Sequence, residues 1–296
     1  MKPVTVIEKS SDLIPLIQEL SKVRHIAIDT ESNSFYAYFE RICLIQISAD
    51  ERDYIIDPFT LKDLKPLGEI LEDERIEKIF HAASNDVLGL KRDFHFKIHN
   101  IFDTAVACKL LGYQQLGLAK VLEKHFSVQL NKKWQRYDWA KRPLKQEQLD
   151  YARLDTHYLV PLRHELTEEL QAKELWEAAV KEFDKACEQE FQQRMFHPEA
   201  FIQIAGARSL DLSGRSILKA LYLYREHEAR RRNRAPFRIL SNETLLRLAR
   251  QRPKSVREFT TIKGLPRSYL KSHAAHNLLE LIRKSEMHTE EQTINK

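Results

Sequence analysis

Hydrophobic positions fall into two regimes along this chain. In the first half they form short β-branched runs set between stretches of helical spacing. VTVIE (4–8), HIAID (25–29), RICLIQIS (41–48), DYIID (53–57) and IEKIF (76–80) are apolar, rich in Ile and bounded by polar residues, which predicts strands. HNIFD (99–103) adds a short extended piece. SDLIPLIQEL (11–20) predicts a helix capped by Ser10 or Ser11. Further helices are predicted over LKPLGEILED, from about Asn85, over TAVACKLLG up to Gly112, and over GLAKVLEKHF (117–126). From about Lys145 to Gln193 there is no Gly and one Pro, Pro161, so the spacing predicts one or two long helices bent at that proline. Three strands in a row followed by alternation imply a mixed sheet flanked by helices, an α/β domain.

After HPEAFIQIAGARSLD (197–211) the periodicity is purely helical. SILKALYLYREHEARRRN places Leu218, Leu221, Tyr222 and Arg225 at helical spacing, and SNETLLRLARQRP starts on a Ser or Asn cap and stops at Pro. The expected organisation is an α/β domain over 1–190, a linker over 191–207, an all-α domain over 208–285 and a polar tail over 286–296. At 296 residues the chain has room for both, and its 43% apolar content supplies a core.

Charge separates the same two parts. Residues 191–296 carry 21 Lys and Arg against 10 Asp and Glu, a net +11, whereas residues 1–190 carry 27 against 33, a net −6. A basic third is the usual footprint of a polyanion partner, although a solvated charged surface has the same composition. No apolar run is long enough to span a membrane, and the charged start MKPVTVIEKSSD does not have the form of a secretory signal. Cys43, Cys108 and Cys187 are far apart, which suits free thiols in a reducing cytoplasm. His95/His99 and His273/His276 have no further ligand nearby to complete a zinc pattern.

The candidate chemistry starts with HIAIDTES (25–32), where Asp29 and Glu31 end an otherwise apolar strand. Strand alternation sends both to the side of Ala27, and two adjacent carboxylates stay ionised there only if something compensates them. FHAASNDVLGL (80–90) places Asp86 in the first turn of a helix, and YARLDTHYL (151–159) stacks Tyr151 and Asp155 at i and i+4 on one helix face. Each has an ordinary explanation alone: a helix-dipole acid, or a solvent-facing pair. Together, four acids suit two hard divalent cations, Mg²⁺ or Mn²⁺, about 3.5–4 Å apart, with a tyrosine to orient water.

These segments resemble the exonuclease motifs of the DEDD superfamily in its tyrosine-bearing branch. DTES, RICLIQIS, FHAASND, IFDTAVACKLLG, GLAKVLEKHF, WQRYDWAKRPL and QLDYARLDTHYLVPL together resemble the ribonuclease D family over roughly residues 20–165. The resemblance implies a ribonuclease-H-like fold and 3′-to-5′ hydrolysis of RNA, one nucleotide at a time. It also implies Asp29, Glu31 and Asp155 as metal ligands, Asp86 on a second ion and Tyr151 beside the nucleophile. Residues 208–285 resemble the HRDC domain, carried by YREHEARRRNRAPFRILSNETLLRLARQRP. They depart from it at Ala275 and His276, where a glycine is expected. The partner so implied is RNA with a free 3′ end, such as a tRNA precursor.

Lys133, Trp134, Arg136, Trp139 and Arg142 mix cations with aromatics, a composition that tracks a single strand or anchors a loop. His81 stands either at the substrate or as a satisfied histidine, and Asp103 is expected as an N-cap. Three alternatives stay open at this level. One is a DNA exonuclease with the same acids, since only a 2′-OH contact separates the two sugars. Another is a non-catalytic RNA-binding scaffold. The third is a helicase accessory module, although the chain has no G-x-x-x-x-G-K-[ST] loop for a motor.

Overall fold

A computed structural model of the chain describes residues 2–131, 133–193, 195–270 and 273–294, with side chains as far as residue 287. It divides into two compact units, residues 1–33 with 41–192, and residues 34–40 with 193–296.

The first unit runs β1 (Thr5–Ile7), α1 (Ser10–Leu20), β2 (His25–Ser32), β3 (Ile42–Ala49), β4 (Arg52–Ile56), α2 (Lys65–Glu72) and β5 (Glu77–Phe80). It continues through α3 (Ser84–Phe94), β6 (Ile101–Asp103), α4 (Thr104–Leu110), α5 (Leu118–Phe126), α6 (Gln146–His157), α7 (Leu159–Ala172) and α8 (Trp176–Glu188). The strands form one sheet in the order β1-β4-β3-β2-β5-β6. β3 is antiparallel to both its neighbours and the remaining pairs are parallel. The β3–β4 hairpin turns on Asp50 and Glu51, both left-handed (φ 45° and 59°), the geometry that matches strand twist. Parallel neighbours need long crossovers, which the helices provide.

Strand alternation builds two cores. Ile26, Ile28, Ile45, Ile47 and Ile56 pack with Leu13, Leu16, Leu67 and Leu90 from α1, α2 and α3. On the opposite face, Ala27, Ile79 and Phe102 meet Leu162 and Leu166 of α7 and Phe183 of α8, while Leu44 and Ile55 meet Trp139 and Ala152. The face of Ala27 is therefore the one that also receives Asp29 and Glu31.

Three local expectations change. Lys9, not a serine, is the N-cap of α1, and no side chain caps that end. The stretch after Lys145 is three helices, and it breaks at Tyr158 and again at residues 173–175, not at Pro161. Pro161 lies in the first turn of α7, where its missing N–H has no intrahelical partner to lose. Glu174, at φ 58°, turns the chain between α7 and α8.

The second unit contains α9 (Leu212–Arg231), α10 (Pro236–Ile239), α11 (Asn242–Gln251) and α12 (His273–Ile294), joined by short 3₁₀ turns. The Asp211 carboxylate caps α9 by accepting from Gly214 N–H (2.8 Å), and Ser241 Oγ caps α11 by accepting from Thr244 N–H (3.1 Å). Residues 191–207 do not behave as a free linker, because Phe201, Ile204 and Ala207 are part of this unit's core. Nor does the polar end form a separate tail over its described length, since α12 continues to Ile294. Ala275, in place of the expected glycine, is buried in the same core.

Candidate active site

β2 delivers Asp29 and Glu31, and α6 delivers Tyr151 and Asp155 across the same sheet face. One carboxylate oxygen each from Asp29, Glu31 and Asp155 lies within 4.8 Å of the others. Asp86 comes from α3 and is tied to β2 from the side: its Oδ1 accepts from Thr30 N–H (3.0 Å) and from Thr30 Oγ1 (2.5 Å). The turn that launches α3 is held in the same way. Asp103 caps α4 by accepting from Ala105 and Val106 N–H, and also accepts from Ala82 (2.9 Å) and Ala83 (2.8 Å) just ahead of Asp86. The cap expected at Asp103 thus serves two helices.

What sets the height of α6 is a buried polar knot that sequence reasoning missed. Asp53 on β4 is 2% exposed and accepts from Arg153 Nε (2.8 Å), Ser48 Oγ (2.7 Å) and His157 Nδ1 (2.9 Å). Ser48 also meets Thr156 (2.7 Å), and Arg153 reaches the Lys2 carbonyl (2.7 Å). The available signal was Ser48 and Asp53 inside apolar strands, because buried polar groups require partners.

The carboxylates repel one another. Burial, then the charges of Asp86, Asp155 and Glu31, push Asp29 well above the ordinary carboxylate range. Burial, then the charges of Asp155 and Asp86, raise Glu31. Burial lifts Asp155 to about 7, with Asp86 adding to it, and lifts Asp86 to about 6 despite its two hydrogen bonds from Thr30. Burial, Asp155, Glu31 and Asp29 raise the Tyr151 hydroxyl as well, so it stays protonated and able to donate. Oxygen ligands this close, all strained toward neutrality, fit a hard divalent cation. A second observation agrees. Gln46 lies directly across the ladder from Asp29, is fully buried, and neither its Oε1 nor its Nε2 has a hydrogen-bond partner. An uncompensated carboxamide beside the acids suits a site completed by an ion and its water.

A cleft of about 510 Å³ opens beside Tyr151 and Asp155, with Lys120, Lys133 and Trp134 in its wall. Lys133 sits 4.6 Å from the centre of the Trp134 ring and pairs with Glu147 (3.2 Å). Arg136 is exposed and does not line this cleft. Arg142 is a correction to the substrate set. Its guanidinium is consumed by Asp57 (2.5 Å) and by the Trp139, Lys141 and Cys43 carbonyls, so it anchors the loop. Trp139 is core, 1% exposed and stacked 6.0 Å from Tyr151. His81 is also a satisfied side chain. Its Nδ1 lies 2.8 Å from Thr104 Oγ1, which in turn lies 3.0 Å from the Phe80 carbonyl. Burial holds this imidazole below its ordinary pKa, against the opposing pull of Asp103 and the Leu116 backbone.

A family profile described as 3′-5′ exonuclease matches residues 4–171, more than half of the chain, and an HRDC domain profile matches residues 215–282. The chain belongs to the 3′-5′ exonuclease family. It is 34% identical over 258 residues to the exosome complex component 10 homolog of Caenorhabditis elegans, covering 86% of this chain and 30% of that protein. The catalytic core of RRP6 from Trypanosoma brucei superposes with a TM-score of 0.86 at 27% identity, covering 96% of this chain and 79% of that one. Escherichia coli RNase D, described as an exoribonuclease involved in structured RNA processing, superposes with a TM-score of 0.71 at 29% identity, covering 96% and 76%. The chain spans about a third or less of the length of the first curated relatives it matches. The 3′-5′ exonuclease match includes all five candidate residues, Asp29, Glu31, Asp86, Tyr151 and Asp155.

Proposed function

We propose that this chain is a metal-dependent 3′-5′ exoribonuclease that releases nucleoside 5′-monophosphates. The carrying observation is the convergence of Asp29, Glu31 and Asp155, with Asp86 alongside and Tyr151 one helical turn from Asp155. Asp29, Glu31 and Asp155 would hold one ion, and Asp86 would share in holding a second. Mg²⁺ or Mn²⁺ there supplies positive charge for the attacked phosphate and for the departing 3′ oxygen. The protonated Tyr151 hydroxyl would donate a hydrogen bond to the attacking water and fix its direction. Thr30 holds Asp86 in register with β2. Trp134 offers a face to a terminal base and Lys133 a charge to a phosphate, which positions the last linkage at the acids.

RNA is favoured over DNA because E. coli RNase D, to which the chain is similar over 96% of its length, is an exoribonuclease involved in structured RNA processing. We further propose structured RNA such as a tRNA precursor as substrate, and a reducing cytoplasmic setting, which suits three free thiols, two of them buried. No helix among the described residues is long and apolar enough to cross a membrane. The test is digestion of one RNA strand labelled at either end, in Mg²⁺ and in EDTA. A 3′ label should leave at once as mononucleotide while a 5′ label shortens stepwise. Internal fragments, or equal cleavage in EDTA, would refute the reading, and faster digestion of a matched DNA strand would move the substrate to DNA.

A further inference from the structure

The loop of residues 34–40 folds with the helical unit and turns aromatic side chains outward. Its backbone is fixed. Ala235 N–H donates to the Tyr36 carbonyl (3.0 Å), Phe39 N–H to Asn233 Oδ1 (2.9 Å), Arg238 Nε to the Phe35 carbonyl, and the Tyr38 hydroxyl to Glu226. Held this way, Phe35, Phe39 and the neighbouring Phe237 remain 44%, 54% and 51% exposed. Phe35 and Phe237 meet edge to face at 6.2 Å, and the Arg238 guanidinium lies 3.8 Å from the centre of the Tyr36 ring.

A patch of half-exposed rings on a rigid backbone marks a binding surface more than a packing defect. Its surroundings indicate what binds. Asn233 and Ala235, which hold the loop, flank Arg234, and Arg230 is close enough to Tyr38 for its charge to act on that hydroxyl; both arginines are exposed. This unit, residues 34–40 with 193–296, holds 21 Lys and Arg against 11 Asp and Glu. Rings interleaved with arginines on a basic body are the means by which proteins hold unpaired nucleotides: bases stack on the rings, and phosphates meet the cations. A duplex would offer its phosphates but no free base faces.

We propose that Phe35, Phe39 and Phe237, flanked by Arg234 and stiffened by Arg238, form a stacking platform for single-stranded RNA. The inference rests on the exonuclease reading for the choice of RNA. It adds a second contact region for the strand, on residues with no part in the chemistry. The loop begins two residues beyond β2, the strand that carries Asp29 and Glu31.

The test uses the whole 296-residue chain carrying Phe39→Ser with Phe237→Ser, and separately Phe39→Trp with Phe237→Trp. Binding of an oligoadenylate of about 12 nucleotides is measured in Ca²⁺, and hydrolysis of the dinucleotide pApA in Mg²⁺. The serine variant should bind the oligonucleotide at least about fivefold more weakly, and the tryptophan variant should bind like wild type. Both should hydrolyse pApA at the wild-type rate. Arg234→Gln should flatten the dependence of log K on log[salt] by about 0.7. Equal oligonucleotide affinity in the serine variant overturns the platform, as does equal loss in the tryptophan variant, which would indicate a structural role. Failure of the exonuclease reading is seen separately, as absence of pApA hydrolysis in wild type, because the platform is judged on binding alone.

Discussion

Arg153→Met tests whether the knot beneath α6 holds the site. The substitution keeps side-chain volume but leaves Asp53, 2% exposed, without its main counter-charge. Removing one partner of a buried ion pair costs about 3–5 kcal/mol. At about 2–4 °C per kcal/mol for a unit of this size, the melting temperature should fall by roughly 6–20 °C. The loss should depend on pH. Burial alone would raise Asp53, but hydrogen bonds from His157 and Ser48, with Arg153, outweigh it and leave the carboxyl below its ordinary value. A depressed carboxyl stabilises the fold above the unfolded pKa of about 3.9, and that contribution is lost as pH falls through the folded value. The gap between wild type and Arg153→Met should therefore be full at neutral pH and close below about pH 4. The assay is a set of circular-dichroism melts across that range, read as the difference between the two proteins. Asp53→Leu with Arg153→Met should recover part of the loss, since no lone charge remains. A single variant within about 1 kcal/mol of wild type, or a gap independent of pH, would refute the reasoning.

Asp29→Asn or Asp155→Asn should lower turnover by at least about 10³-fold with the circular-dichroism spectrum unchanged; near-normal activity in saturating Mg²⁺ would remove that residue from the site. Tyr151→Phe should lower kcat and leave KM nearly unchanged in steady-state kinetics, whereas a raised KM at constant kcat would make Tyr151 a binding residue. Gln46→Leu deletes two unsatisfied buried atoms, so in EDTA its melting temperature should equal or exceed that of wild type, while the Mg²⁺ needed for half-maximal activity should rise. Arg142→Ala should destabilise the fold by melting and leave the KM of the residual folded enzyme unchanged, because its guanidinium faces Asp57 and three carbonyls.

The sheet was legible because its signal is periodic. Alternation at Ala27, Asp29 and Glu31 assigns them to one face from residues alone, and the i,i+4 spacing of Tyr151 and Asp155 does the same on α6. What was not legible depends on three dimensions. Arg142 reads as a strand-binding cation until Asp57, 85 residues earlier, is seen to neutralise it. The Asp53 knot joins residues 100 or more positions apart, so no local window contains it. Pro161 misled because a proline's effect depends on its helix position, and the helix starts only two residues earlier, at Leu159. Loop 34–40 falls inside the stretch assigned to the first domain, 1–190, yet it makes hydrogen bonds to residues beyond 225.

If Asp29, Glu31, Asp86 and Asp155 hold divalent cations, titration of the 296-residue chain with Mn²⁺ shows it without reference to turnover. Calorimetry should register two bound ions per chain in wild type and a stoichiometry reduced by at least one in Asp29→Asn and in Asp155→Asn, with all three proteins folded. Absence of Mn²⁺ binding by wild type, or binding that both variants retain unchanged, would contradict the account.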